Sequence, residues 1–120
     1  MTSQSNLILF FDAMGVYQIL FSIDDTMILS DMYYQLLNPL LEYDKQHKGE
    51  LIETFYQYLI HDGNQLEMSK DLFMHRNTIN YRMNKIKEIL NNDLSSFESK
   101  IAYMIAFYIK NMLEDKEEES

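Results

Sequence analysis

Cysteine is absent from this chain of 120 residues, which excludes a disulfide framework and a thiolate metal site. Glycine and proline are scarce, at three and one. With so few breakers, the Met, Leu, Ile and Tyr content favours helices joined by short turns. No apolar run approaches the roughly 18 residues needed to span a bilayer. Leu7 to Phe11 is short and lacks the basic flank and small-residue cleavage site of a signal peptide. A cytoplasmic protein with no membrane attachment is expected. Histidine is limited to His47, His61 and His75, without a His-x-x-x-His or Glu-x-x-His pair, so no metal centre is expected. Asp24-Asp25 and Glu42 with Asp44 read as helix caps or solvated faces. No Gly-rich phosphate loop and no nucleophile elbow occurs. These absences point away from an enzyme and from any cofactor.

Basic charge is also scarce, with 10 Lys and Arg against 19 Asp and Glu, a net charge of -9. A protein that binds nucleic acid over its whole surface would be basic. Against that background one concentration of positive charge stands out: Arg76, Arg82, Lys85 and Lys87, with no acid between Met74 and Lys87. From Arg76 onward Ile79, Met83, Ile86 and Leu90 recur at helical steps and share one face. The opposite side carries Asn77, Asn80, Tyr81, Asn84 and Lys85, flanked by Arg76, Arg82 and Lys87. Such a cationic, amide-rich surface suits a duplex groove, because Lys and Arg neutralise phosphates and Asn bonds bidentately to adenine.

Gln65 to Phe73 reads as a second short helix, with Leu66, Ser69, Leu72 and Phe73 at helical spacing. Asn64 is its expected cap. The two helices are too close in sequence for a long loop. Ser69 is small enough to let them approach, Leu72 and Met74 plug the corner, and Ile79 closes it. This is a helix-turn-helix pattern, in which the second helix enters the major groove. His75 falls at the N-cap of that helix and is a candidate for a backbone N–H, a phosphate or a base. Tyr81 faces either DNA or a neighbouring helix, and Arg82 either phosphate or an acid such as Glu50 or Glu53. The other tyrosines are dispersed and read as amphipathic core or rim residues.

The remaining pattern predicts further helices. Gly15 to Ile23 places Val16, Ile19, Leu20 and Ile23 on one side. Asp24 or Asp25 caps a helix to about Leu37, with Met27, Ile28, Met32, Leu36 and Leu37 inward. Asn38-Pro39 is expected to restart the chain, with Asn38 as N-cap and Pro39 at the first helical position. That run ends near Gly49 in a left-handed cap. Glu50 to His61 carries Leu51, Ile52, Phe55, Tyr58 and Leu59. Ser95 or Ser96 caps a last helix from Phe97 through Leu113, with Ile101, Met104, Ile105, Tyr108, Ile109 and Met112 inward. The fold class is all-α, a bundle of six or seven helices. Residues 1–14 are expected to be a linker or remnant of an upstream region, 15–113 a helical domain with its helix-turn-helix at about 65–90, and 114–120 an acidic disordered tail.

The run LFMHRNTINYRMNKI resembles the signature of the PucR-type bacterial transcriptional regulators, whose C-terminal helix-turn-helix domain carries L-x-V-H-R-N-T-x-x-Y-R-L. His75, Arg76, Asn77, Thr78, Tyr81 and Arg82 stand at the matching positions. Gly15-Val16-Tyr17, Pro39-Leu40-Leu41-Glu42-Tyr43-Asp44, Glu50-Leu51, Thr54 and Tyr58-Leu59 extend the likeness. Ser69 stands where the family usually has Ala, and Met74 and Met83 replace Val and Leu. Glu67 and Asp71 add negative charge to the helix expected near phosphate. The resemblance implies a DNA-binding output domain, with a small-metabolite sensor on an upstream N-terminal region. On this reading His75, Arg76, Asn77 and Asn80 read bases, with Tyr81 and Asn84 as further contacts. Thr78, Lys85, Lys87 and the Asn64 and Gln65 end of the first helix hold phosphates. One such helix reads few base pairs, so a homodimer on a two-fold site of double-stranded DNA is expected. The alternative is a helical protein-interaction or dimerisation module whose helix-turn-helix does not bind DNA.

Overall fold

The structure, a computed structural model, describes residues 14–119, with side chains through Asp115. The described residues form six helices and no strand: α1 over residues 14–21, α2 Thr26–His47, α3 Leu51–Ile60, α4 Gln65–Leu72, α5 Arg76–Leu90 and α6 Phe97–Glu119. The fold is all-α, as the pattern predicts. The apolar run Leu7 to Phe11, and the expected linker as far as residue 13, lie outside the described residues. The helix of α6 continues to Glu119 through the acidic stretch expected to fray. Among the described residues no helix is long and apolar enough to cross a membrane.

Asp25 caps α2 by accepting from the Met27 amide at 3.0 Å. The helix then runs through Asn38-Pro39 without restarting, so Pro39 sits in its interior. An interior proline forfeits one backbone hydrogen bond and costs roughly 3 kcal/mol. Leu37 and Leu40, fully buried on either side of it, offset that cost by holding the same face in the core. The left-handed cap falls on Lys48, at φ 49°, one residue before the glycine expected to take it. Gly49 has a different duty. Asp44 reaches back past it and accepts from the amides of Leu51 and Ile52, both at 2.9 Å. A Cβ on Gly49 would come within 2.9 Å of Asp44 Oδ1. The first turn of α3 is therefore capped from α2, since Glu50 makes no side-chain cap bond of its own.

The core has two parts. The larger joins Leu37 and Leu40 of α2, Leu51, Phe55 and Leu59 of α3, Met68 of α4, Ile79, Met83 and Ile86 of α5, and Tyr103, Ala106 and Phe107 of α6. Phe55 is its hub, edge-on to Tyr103 and Phe107 at centroid distances of 5.2 and 5.6 Å. The smaller joins Leu20, Leu29, Ile109 and Met112. Several predicted inward positions are therefore outward. Met27 and Ile28 are exposed, because the first turns of α2 are apolar on two adjoining faces and the one carrying Leu29, Leu37 and Leu40 is buried, and Ile19 is exposed because its neighbour Leu20 takes the buried face of α1. Ile101 and Met104 are exposed for a similar reason, as Phe55 and Tyr56 select the Tyr103 and Phe107 side of α6.

The turn between α5 and α6 is built from side-chain bonds to backbone. Asn91 takes the left-handed cap at φ 50°, and Asn92 Oδ1 accepts from the Leu94 amide at 2.8 Å, driving Leu94 into the core at 1% exposure. Asp93 Oδ1 accepts from the Ser95 hydroxyl at 2.7 Å and from its amide at 3.0 Å. Those two bonds, with a smaller contribution from nearby Lys87, hold the Asp93 carboxyl below the usual carboxylate range. Ser96, the second of the two predicted caps, accepts from the Ser99 amide.

Candidate nucleic-acid interface

Helices α4 and α5 are joined by three residues, and the join is clamped from inside. The Ser69 hydroxyl donates to the Met74 carbonyl at 2.7 Å, while the Met74 amide donates to the Ser69 carbonyl at 3.2 Å. A hydroxyl at this position thus adds a bond that Ala lacks. Leu72 and Met74 pack against the main core beside fully buried Ile79, as the corner requires. Two details of α4 differ from expectation. Its fully buried residue is Met68, and Leu66 is exposed. Phe73 is 94% exposed, because it ends α4 at φ 54° and a left-handed residue turns its side chain off the helix face.

Both helices start at side-chain caps. Asn64 Oδ1 accepts from the Leu66 and Glu67 amides at 3.1 and 3.2 Å. His75 Nδ1 accepts from the Asn77 amide at 3.1 Å, which leaves the exposed ring with Nε2 to meet a ligand. The caps occupy amides that a phosphate would otherwise use at these helix starts. Helix dipole and side chains remain for an anion there.

Along α5 the exposed side carries Asn77, Tyr81, Asn84 and Glu88, at steps of four, three and four, with Arg76 and Asn80 beside them and Thr78 on the other flank. Tyr81 is 69% exposed, so it is solvent-facing and not packed on a neighbouring helix. The cations separate into two groups. Arg82 donates to Glu50 and to Thr54 Oγ1, both at 3.3 Å, tying α5 to buried Thr54 of α3. Lys85 stands 4.0 Å from Glu88 and 5.6 Å from the Tyr43 ring centroid of α2, and Lys87 lies toward Asp93. Arg76 is exposed and has no hydrogen bond or ion pair among the described residues.

The acids of α4 are also accounted for. Asp71 pairs with His61, the residue that ends α3, at 2.7 Å and Glu67 with Lys70 at 3.9 Å. His61 is thus part of the α3 to α4 joint. Gln65, the first residue of α4, donates through Nε2 to Asn80 Oδ1 on α5. The structure therefore brings Asn64, Gln65 and Asn80 together at one end, with His75, Arg76, Asn77 and Thr78 on the first turn of α5. Lys85 and Lys87 fall roughly 13 to 17 Å beyond Arg76 along the axis at about 1.5 Å per residue. The Gln65 to Asn80 link was not foreseeable from spacing, since 15 residues and a turn separate the two.

A short capped helix, a clamped three-residue turn and a second helix with an exposed polar face define the class: a helix-turn-helix domain of the DNA-binding kind. Residues 51–109 match the family described as the PucR C-terminal helix-turn-helix domain, and the chain belongs to it. The chain is 29% identical over 102 residues to the DNA-binding transcriptional activator AdeR of Bacillus subtilis, covering 85% of this chain and 24% of that protein. It is 30% identical over 98 residues to the proline-responsive transcriptional activator PutR of the same organism, covering 82% and 24%. A match of 37% identity over 57 residues to the transcriptional activator PmfR of Paenarthrobacter nicotinovorans covers 48% and 12%. The chain therefore spans about a quarter of the length of the first two relatives. No solved structure matches.

Proposed function

We propose that this chain is the sequence-specific DNA-binding output domain of a bacterial transcriptional regulator, working in the cytoplasm, with α5 laid in the major groove. The observation that carries this reading is the polar ridge of α5, exposed on a protein of net charge -9 and headed by Arg76, which is unpaired among the described residues. His75, Arg76, Asn77 and Asn80 read base edges near the start of α5, and Tyr81 and Asn84 extend the contact. Thr78 and the Asn64 and Gln65 end of α4 hold phosphates. Lys85 and Lys87, which face other partners, add longer-range attraction. The acidic remainder of the surface orients the molecule by repelling duplex elsewhere. The metabolite response implied by the family resemblance is assigned to a region outside these residues.

One helix reads too few base pairs for useful selectivity, so the reading includes a two-fold dimer. Exposed Met27, Ile28 and Tyr34 on α2, with Ile101 and Met104 on α6, support those two helices as its contact surface. The same apolar residues favour the second reading, a protein-interaction module that does not bind DNA. Selection of bound duplexes from a random pool separates the two. The wild type is expected to enrich a two-fold sequence that Arg76→Ala, Asn80→Ala fails to enrich, with binding that weakens steeply as salt rises. Arg76→Ala alone should cost about 1–3 kcal/mol of binding. A folded wild type that enriches nothing, even when artificially dimerised, favours the interaction module.

A further inference from the structure

The bond from Gln65 to Asn80 has a consequence for which bases are read. We propose that Gln65 is a positioning residue that sets the hydrogen-bonding polarity of Asn80, so that Asn80 reads base edges offering acceptors. The inference rests on the DNA-reading function above.

An unconstrained asparagine presents a donor and an acceptor side by side and pairs bidentately with adenine, donating to N7 and accepting from the N6 amino group. Asn80 is exposed and one helical turn beyond Arg76, on the same flank of α5. Its Oδ1 is engaged by Gln65 Nε2, so the carboxamide is drawn toward α4 on its acceptor side. Its Nδ2 amino group, with two donors, is left for the groove. Guanine O6 and N7 and thymine O4 match that group, whereas adenine offers it N7 alone, beside an amino donor that Asn80 can no longer accept from. Cytosine shows only an amino donor in the major groove and is refused. Gln65 can exert this control because it is held. It is the first residue of a helix whose start Asn64 fixes through two amides, and α4 is anchored by fully buried Met68. Both members of the pair are neutral, so the link is not dissolved by salt as an ion pair would be.

Two substitutions change the polarity without touching the core, one by releasing it and the other by reversing it. In Gln65→Ala the carboxamide is released, and the bidentate adenine contact becomes accessible. In Gln65→Glu the side chain only accepts, so Asn80 turns its Nδ2 toward α4 and presents Oδ1 to the groove. Bases with an amino group there, adenine and cytosine, are then favoured.

The experiment is duplex selection from a random pool with the full chain, the two Gln65 variants and Asn80→Ala, each first verified as folded by thermal melting. The expected result is a change confined to one position of the enriched half-site. Guanine or thymine there in the wild type gives way to cytosine or adenine in Gln65→Glu and drifts to adenine in Gln65→Ala, by roughly five- to 150-fold in relative preference, the span of a good base contact. Asn80→Ala should lose preference at that position, and in its background the Gln65 changes should have no effect on base choice. The inference is overturned if the wild type enriches a sequence and the Gln65 variants enrich the same one with only a uniform loss of affinity. A folded wild type that enriches no sequence, even when artificially dimerised, overturns the DNA-reading function and this inference together.

Discussion

His75 holds two positions at once, inside the fold through Nδ1 and outside it through Nε2. Its cap bond to the Asn77 amide should be worth about 1 kcal/mol, the usual cost of replacing a capping side chain with alanine. The substitutions that separate the roles are His75→Ala and His75→Asn. Denaturant unfolding is expected to show the alanine variant weakened by that amount and the asparagine variant within a few tenths of the wild type, since asparagine caps well. Both should bind duplex less tightly than the wild type, because both lose the ring nitrogen that faces outward. If the alanine variant unfolds no more readily than the wild type, the ring is not stabilising the helix through its cap. At this scale much was readable in advance. The caps Asn64 and His75, the small Ser69 at the corner and the Arg82 pairing with Glu50 all follow from local chemistry or from a short choice among nearby acids. The service of Asp44 to Leu51 and Ile52 was not readable, because it depends on where the chain goes after Lys48 and on the missing Cβ of Gly49.

At the scale of elements, the apolar stripes of α3 and α5 were unambiguous because each has one apolar face. Helices α1, α2 and α6 were misjudged in part, because they are apolar over more than half their circumference and only the partner decides which face is buried. Ile19 lost that choice to Leu20, Ile28 to Leu29, and Met104 to Tyr103 and Phe107. Proline was misjudged for a related reason. Local rules place it at a helix start, whereas burial of Leu37 and Leu40 continues α2 across it. The cost is still present in the helix, and it yields a prediction. Pro39 is exposed, so Pro39→Ala removes no buried contact and restores an amide donor to the ladder. Stability should rise by about 1–2 kcal/mol, less than the full helix penalty because proline also restricts the unfolded chain. A lower melting temperature for that variant would show that α2 needs the proline's local geometry.

Over the whole molecule, the division of the core matters more than its size. Helices α3, α4 and α5 share the larger cluster, whereas α1 is held by the smaller one through Leu20, with Leu29, Ile109 and Met112. Backbone amides of α1 should therefore exchange with deuterium well before those of α3 and α5, since local opening follows the number of buried apolar contacts that must be broken. Equal protection across the six helices would mean that the two clusters open as a single cooperative unit. If the gradient is found, α1 acts as a mechanical fuse. Strain arriving at the residue 14 end is released by undocking α1 from Ile109 and Met112, and the turn that aims α5 is left undisturbed behind Phe55.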